Sequence, residues 1–201
     1  MTQDRYAVIG HPVAHSKSPL IHSMFAAALG HTVDYSAVLA PLDGFAQTVR
    51  AFRDTGGKGM NVTLPFKLEA FALADTLSVR AQRAGAVNAF KFEADGTLAG
   101  ENFDGEGLVR DIQHNLKRPV RGARVLLLGA GGGVRGVLGP LLAQSPADIA
   151  IVNRTADKAT QLALAFRADG PVRGYAYDDL KTAGARGGQA AFDIIISGTW
   201  A

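Results

Sequence analysis

The first half of the chain carries three short polar clusters whose residue types can hold an anion and move a proton. The first is His15-Ser16-Lys17-Ser18-Pro19. Its two hydroxyls, two residues apart beside a helix start, suit a carboxylate; helix capping by Ser18 reads the same residues equally well. The second is Asn61-Val62-Thr63-Leu64-Pro65-Phe66-Lys67. Asn61 and Thr63 share one face of a strand by its period of two. Lys67 follows an apolar, proline-fixed turn that would leave its ammonium partly out of water, although a lysine is more often simply solvated. The third cluster is split between Gly85-Ala86-Val87-Asn88 and Asn102-Phe103-Asp104-Gly105. Asn88 and Asp104 bracket a hairpin pattern and are expected to face one cleft; turn or cap chemistry is the alternative for each.

A different chemistry begins at Gly129-Ala130-Gly131-Gly132-Gly133-Val134, directly after the apolar run Leu126-Leu127-Leu128. Missing Cβ atoms let backbone approach a pyrophosphate, and the helix that follows offers free N–H groups and the positive end of its dipole. Val134 occupies the third glycine position of G-x-G-x-x-G, so this turn alone is a weak signal. Asn153-Arg154-Thr155 strengthens it. At the end of the next strand a carboxylate would favour a ribose 2′-hydroxyl, whereas an arginine grips a 2′-phosphate with its planar fork of donors. Lys158 adds a second cation in the next helix, and Thr155 reads also as that helix's N-cap. Together these residues point to NADP.

The elements that must position these groups follow from the apolar pattern. Strands are expected at Tyr6–Ile9, Tyr35–Leu39, Gly59–Leu64, Arg124–Leu128, Ile149–Val152 and Asp193–Ile196. Helices are expected at Pro19–Leu29, Asp43–Arg53, Lys67–Ala74, Gly105–Leu116, Val134–Leu142 and Ala156–Arg167. Val87–Phe92 and Thr97–Gly100 form a hairpin about Asp95-Gly96. The pattern is α/β: a three-layer first domain over residues 1–116, then residues 117–201 as the first half of a Rossmann sheet, joined at Lys117–Gly122. The 201 residues include no cysteine, which removes disulfides and thiolate metal sites. No run reaches the roughly 18 apolar residues of a membrane span, and no signal peptide opens the chain, so a cytoplasmic protein is expected. The net charge of +3 is spread among acids with no basic patch, which argues against nucleic acid as a partner.

The clusters His15–Pro19, Gly57–Lys67, Gly85–Asn88 and Asn102–Gly105, the glycine turn and Asn153–Thr155 occur in the order of the shikimate dehydrogenase family, which the chain resembles over essentially its whole length. The resemblance implies reversible reduction of 3-dehydroshikimate to shikimate with NADPH, without a metal. It implies that Ser16 and Ser18 hold the substrate carboxylate and that Thr63, Asn88 and Asp104 bind ring hydroxyls. It makes Lys67 the catalytic lysine, paired with Asp104, and assigns the cofactor to Gly129 through Gly133, Asn153, Arg154, Thr155 and Lys158. Phe103 replaces the family's usual threonine, Gly133-Val134 a common Ala-Ser, Val79 a frequent acidic residue, and Ser197-Gly198-Thr199 the typical Asn-Ala-Thr. The family's later strands, tyrosine and glutamine have no counterpart before Ala201. The chain is therefore expected to be a C-terminally truncated member, weakly stable and weakly active, with Ile194–Ile196 an exposed edge strand. Non-catalytic shikimate binding, or broader use of quinate or NAD, are the alternatives, with a monomer or homodimer as the assembly.

Overall fold

A computed structural model describes residues 3–179 and 192–199. Trp200 and Ala201, where an abrupt end is expected, lie outside them. By contact the chain divides into Met1–Asn102 and Phe103–Ala201.

The first unit is built on strands β1 (Asp4–Gly10), β2 (Val33–Leu39), β3 (Gly57–Val62), β4 (Thr76–Leu77), β5 (Ala89–Phe92) and β6 (Leu98–Glu101). They form one sheet in the order β2-β1-β3-β5-β6-β4. β1 runs parallel to β2 and β3, and the β5–β6 hairpin joins β3 antiparallel. Alternation along β1 sends Ala7 and Ile9 into a core with Met60 and Val62 of β3. Helix α2 (Phe45–Asp54) closes that core with Phe45, Val49 and Phe52, one face of a 3.6-residue period. Helices α3 (Lys67–Leu73) and α4 (Val79–Ala84) add Ala70 and Ala81 to the same side. Helix α1 (Ser18–Ala28) lies on the opposite face, where His22 stacks on Tyr35 of β2. The expected three-layer arrangement is thus present. β4 and α4 were not expected, because elements this short show too little periodicity to register.

The second unit opens with α5 (Asp104–Arg110), which continues as a π-helical turn over Asp111–Asn115. Then come β7 (Arg124–Leu128), α6 (Gly132–Leu142), β8 (Asp148–Val152), α7 (Ala156–Phe166), β9 (Val172–Tyr175) and β10 (Ile194–Ser197). The sheet is wholly parallel, in the order β10-β7-β8-β9. Two expectations need correction here. The apolar strand near Ile194 is the fourth of its sheet rather than the third, because Val172–Tyr175 intervenes. It also pairs on the far side of β7, so the sheet already contains a strand beyond the point where the order reverses. β9 escaped the apolar pattern because Gly174 interrupts it. A Cβ there would stand 2.4 Å from backbone atoms of Ala159 and Thr160 in α7, so packing demands the glycine. As expected, β10 lies at the end of the strand order, with Ile195 63% exposed.

The contact boundary falls at Asn102/Phe103, ahead of the expected 116/117. The reason is α5, which packs on α6 so closely that a Cβ on Gly105 would stand 2.5 Å from the carbonyl oxygen of Gly136 and from Cγ of Pro140. Gly105→Ala should therefore destabilise the second unit by about 1–3 kcal/mol. A urea midpoint equal to the parent's would show that this packing is looser than described.

Candidate active site

Several site candidates of the first unit lie where strands end. A Cβ on Gly10, the last residue of β1, would stand 2.5 Å from Cγ2 of Thr63. Its absence lets the exit of β3 close on β1. The Thr63 N–H donates to the Ile9 carbonyl at 2.9 Å, and the His11 N–H to the Leu64 carbonyl at 2.9 Å. Thr63 itself lies one residue past the end of β3, not within a strand reaching Leu64. The Val62 N–H donates to the Asn88 carbonyl at 2.8 Å, and the Val87 N–H to the Lys67 carbonyl at 2.9 Å. Thr63, Lys67 and Asn88 are thus brought together by one backbone network. Phe66, 2% exposed, stacks on Phe45 at 4.7 Å between ring centroids and fixes the residue just ahead of Lys67. Thr63, Lys67 and Asn88 are all half-buried.

The serine pair differs from the capping reading. Lys17, not Ser18, holds the N-cap position of α1, and no side chain caps the helix. The Ser16 hydroxyl donates to Ser18 Oγ at 3.2 Å and accepts from the Ser18 N–H at 3.2 Å. On the neighbouring strand β2, the Tyr35 phenol donates to Asn61 Oδ1 at 2.6 Å. Tyr35 was not singled out by the sequence, since a tyrosine in a strand pattern reads as packing. Burial pushes its phenol up to about 12, against the opposing pull of Ser18. Burial also lowers the His22 imidazole, whose ring lies 4.3 Å from that of Tyr35 between centroids.

A second network, also unforeseen, supports Asn88. Its N–H donates to the Glu101 carbonyl at 2.9 Å. The Glu101 carboxylate accepts from the Ser78 hydroxyl, from Arg80 at 2.8 Å and from the Asn102 N–H at 2.8 Å. Asn102 is 3% exposed and donates its amide to the Ala86 carbonyl at 3.0 Å. Partial burial raises the Glu101 carboxyl, but Arg80, Ser78 and Asn102 together outweigh it and hold the group below the usual value. Val79, beside Ser78, is 81% exposed, and nothing in the structure explains its place there.

In the second unit Asp104 is the first residue of α5 and half-buried; Phe103 precedes it, 47% exposed. The glycine turn lies between β7 and α6, beside the point where the strand order reverses, which is where open α/β sheets bind ligands. Gly129 has φ +110 and donates its N–H to the Val152 carbonyl at 2.7 Å. The first intrahelical bond of α6 runs from the Arg135 N–H to the Gly131 carbonyl at 3.0 Å. The amides of Gly132, Gly133 and Val134 lie ahead of it, without partners inside the helix. A Cβ built on Gly131 or Gly133 meets nothing within 4 Å. The turn is open at both positions, which leaves room for a pyrophosphate. Val134 in the third glycine position is 1% exposed. Its room comes from the neighbouring strand: a Cβ on Gly198 would stand 2.4 Å from Val134 Cγ2. The close approach normally supplied by a helix glycine is supplied here by one at the end of β10.

After β8, the Asn153 amide donates to the Thr155 carbonyl at 2.9 Å. Thr155 is the N-cap of α7, but its hydroxyl makes no cap bond, contrary to the capping reading. Arg154 and Lys158 are exposed and form no ion pair among the described residues. Their positive charges are available to a phosphate.

Two family models match the chain: the shikimate dehydrogenase substrate binding domain over residues 8–90, and shikimate / quinate 5-dehydrogenase over residues 111–201. The shikimate dehydrogenase (NADP(+)) of Aromatoleum aromaticum is 55% identical over 199 residues, which are 99% of this chain and 70% of that protein. An Ael1 enzyme from Pseudomonas putida has a crystal structure with TM-score 0.83 and 50% identity, covering 98% of this chain and 69% of its own. Shikimate 5-dehydrogenase from Thermus thermophilus, in complex with NADP(H) and shikimate, matches with TM-score 0.81 and 31% identity over 98% of this chain and 69% of that one.

The Val134–Gly198 contact predicts that Gly198→Ala costs about 1–3 kcal/mol and that adding Val134→Ala recovers most of it. Additive losses in a chemical denaturation cycle would refute the contact. Because the Glu101 carboxyl is held below its unfolded value near 4.5, its contribution is complete above about that pH and is lost as pH falls through the folded value. Urea midpoints should drop in that acid window, and Glu101→Gln should flatten the drop.

Proposed function

The chain belongs to the shikimate dehydrogenase family, and from that premise we propose that it interconverts 3-dehydroshikimate and shikimate with NADP through the residues described above. The observation that carries this reading is the backbone network that ties half-buried Lys67 to Asn88 and Thr63. It brings an amine, an amide and a hydroxyl to neighbouring strand ends, as recognition and protonation of a hydroxylated ring acid require. Ser16 and Ser18 take the carboxylate; Thr63, Asn88 and Asp104 take ring hydroxyls. Gly129, Ala130, Gly131, Gly132 and Gly133 receive the pyrophosphate of NADP. Asn153, Arg154, Thr155 and Lys158 receive its 2′-phosphate end.

When bound, the cofactor supplies or accepts the hydride. The protein's own chemistry concerns the oxygen of the reacting carbonyl. Negative charge grows there as the ketone is reduced, and the Lys67 ammonium stabilises that charge and delivers a proton. In the reverse direction the neutral amine takes the proton from the alcohol. Asp104 supplies a carboxylate that fixes the direction of a ring hydroxyl. Hydroxyl and amide donors on the first unit hold the ring so that the proton moves over a short, set path.

Lys67→Ala should lower kcat about 10²- to 10⁴-fold while shikimate affinity by calorimetry changes little. NADPH absorbance assays at the parent's rate would sink the assignment. Arg154→Ala should raise KM for NADP by about 10- to 100-fold with little effect on NAD. Equal losses with both cofactors would remove Arg154 from the phosphate site. If the parent chain binds shikimate but never oxidises it, the reading becomes that of a binding module.

A further inference from the structure

His11 follows the end of β1, where three strands finish side by side in the order β2-β1-β3. Its own N–H donates to the Leu64 carbonyl at 2.9 Å, in the turn that leads to Lys67. Its imidazole reaches the other way: Nδ1 lies 2.8 Å from the carbonyl oxygen of Ala40, the residue after β2. A carbonyl only accepts, so Nδ1 carries the proton and donates. Ala40 is 0% exposed, and a buried carbonyl left without a donor is costly. The Ala40 N–H in turn donates to the Gly10 carbonyl at 3.3 Å. Gly10 and His11 thus hold the exit of β2 on one side and the exit of β3 on the other.

Regular pairing stops at this point. β1 pairs with β2 as far as Gly10 and Leu39, and with β3 as far as Ile9 and Val62. Past those pairs the strand ladder no longer sets where the chain goes, and the imidazole supplies a tie that the ladder does not. Thr63 lies directly against Gly10, where a Cβ would stand 2.5 Å from its Cγ2. The loop after His11 is held as well: Val13 is 4% exposed, and its carbonyl accepts from the Ser16 N–H at 2.9 Å. His11 therefore stands at the root of two segments, residues 16–18 and residues 63–67. Nδ1 donates in the neutral Nδ1–H tautomer and in the imidazolium alike, so the tie holds in either charge state.

We propose that His11 is a positioning residue for substrate: its Nδ1–H bond to the Ala40 carbonyl locks the exits of β1, β2 and β3 together and so sets where Thr63 and Ser16 stand. This rests on the reading of Thr63 and Ser16 as substrate-binding residues. His11 acts through the main chain on both sides, not by touching the reacting atoms.

Calorimetric titration of the full chain with shikimate and with NADP, beside urea midpoints, tests the proposal. His11→Ala removes the donor. It should weaken shikimate about five- to tenfold, the worth of one hydrogen bond, and leave NADP within about twofold. An asparagine carries Nδ2 at the same place along its side chain as Nδ1 of histidine, so His11→Asn should restore shikimate affinity to within about twofold of the parent. Glutamine carries its donor one bond farther out, and His11→Gln should stay as weak as His11→Ala. Should His11→Ala fail to fold, the contrast between the asparagine and glutamine variants carries the same test. If His11→Asn is as weak as His11→Ala, or NADP weakens in parallel with shikimate, the proposal is overturned. It is overturned too if the urea midpoint falls while the folded His11→Ala chain binds shikimate as the parent does. Thr63→Ala reports on the site itself. If it weakens shikimate and neither His11→Ala nor His11→Gln does, the proposal fails while the site stands. If Thr63→Ala binds shikimate as the parent does, or the parent does not bind it, the site reading falls first and the proposal with it.

Discussion

The geometry of both units depends on backbone passing so close to backbone, or to a branched side chain, that a Cβ cannot fit. Gly10 meets Thr63, Gly105 meets the carbonyl of Gly136, and Gly198 meets Val134, each at 2.4–2.5 Å from a hypothetical Cβ. The first closes β1 on the exit of β3, where Thr63, Lys67 and Asn88 gather. The last seats the turn after β7 against the end of β10. Interiors of this density do not deform smoothly, so each contact acts as a fixed stop that sets where the polar groups stand.

The first unit builds its polar site from main-chain bonds. Residues outside regular strands are ordinarily mobile. Here the carbonyls of Lys67 and Asn88 each accept a strand or loop N–H, and Phe66 anchors the intervening turn in the core beside Phe45. Glu101 extends the same support from below, through Ser78, Arg80 and Asn102. These bonds fix the main chain at Lys67 and Asn88.

The second unit solves a different problem, that of leaving backbone donors uncovered. Gly131 and Gly133 carry no side chains at the start of α6 and border open space. Arg154 and Lys158 stand exposed after β8. Amides without partners inside the helix, with its dipole, suit a pyrophosphate, and an exposed guanidinium suits a terminal phosphate. Val134 breaks the usual glycine spacing without breaking the site, because the missing volume reappears at Gly198.

How much of this was legible depends on the range of the forces involved. Local pattern alone placed the main helices and strands, the hairpin, the glycine turn and the Asn153-Arg154-Thr155 run, because helix period, strand alternation and turn chemistry act within a few residues. The polar clusters were visible for the same reason: Ser16 with Ser18, and Thr63 with Lys67, are close in sequence. Tertiary structure decided what joins them. Only folding could show that Ser18 makes no capping bond, that Asn88 rests on Glu101, or that β10 crosses to the far side of β7. Only folding, too, could show that the third glycine of the turn is replaced by one 64 positions later along the chain. Each of those facts is a contact between residues distant in sequence, and such contacts are settled by packing volume and the pairing of buried polar groups, quantities that no short window of residues contains.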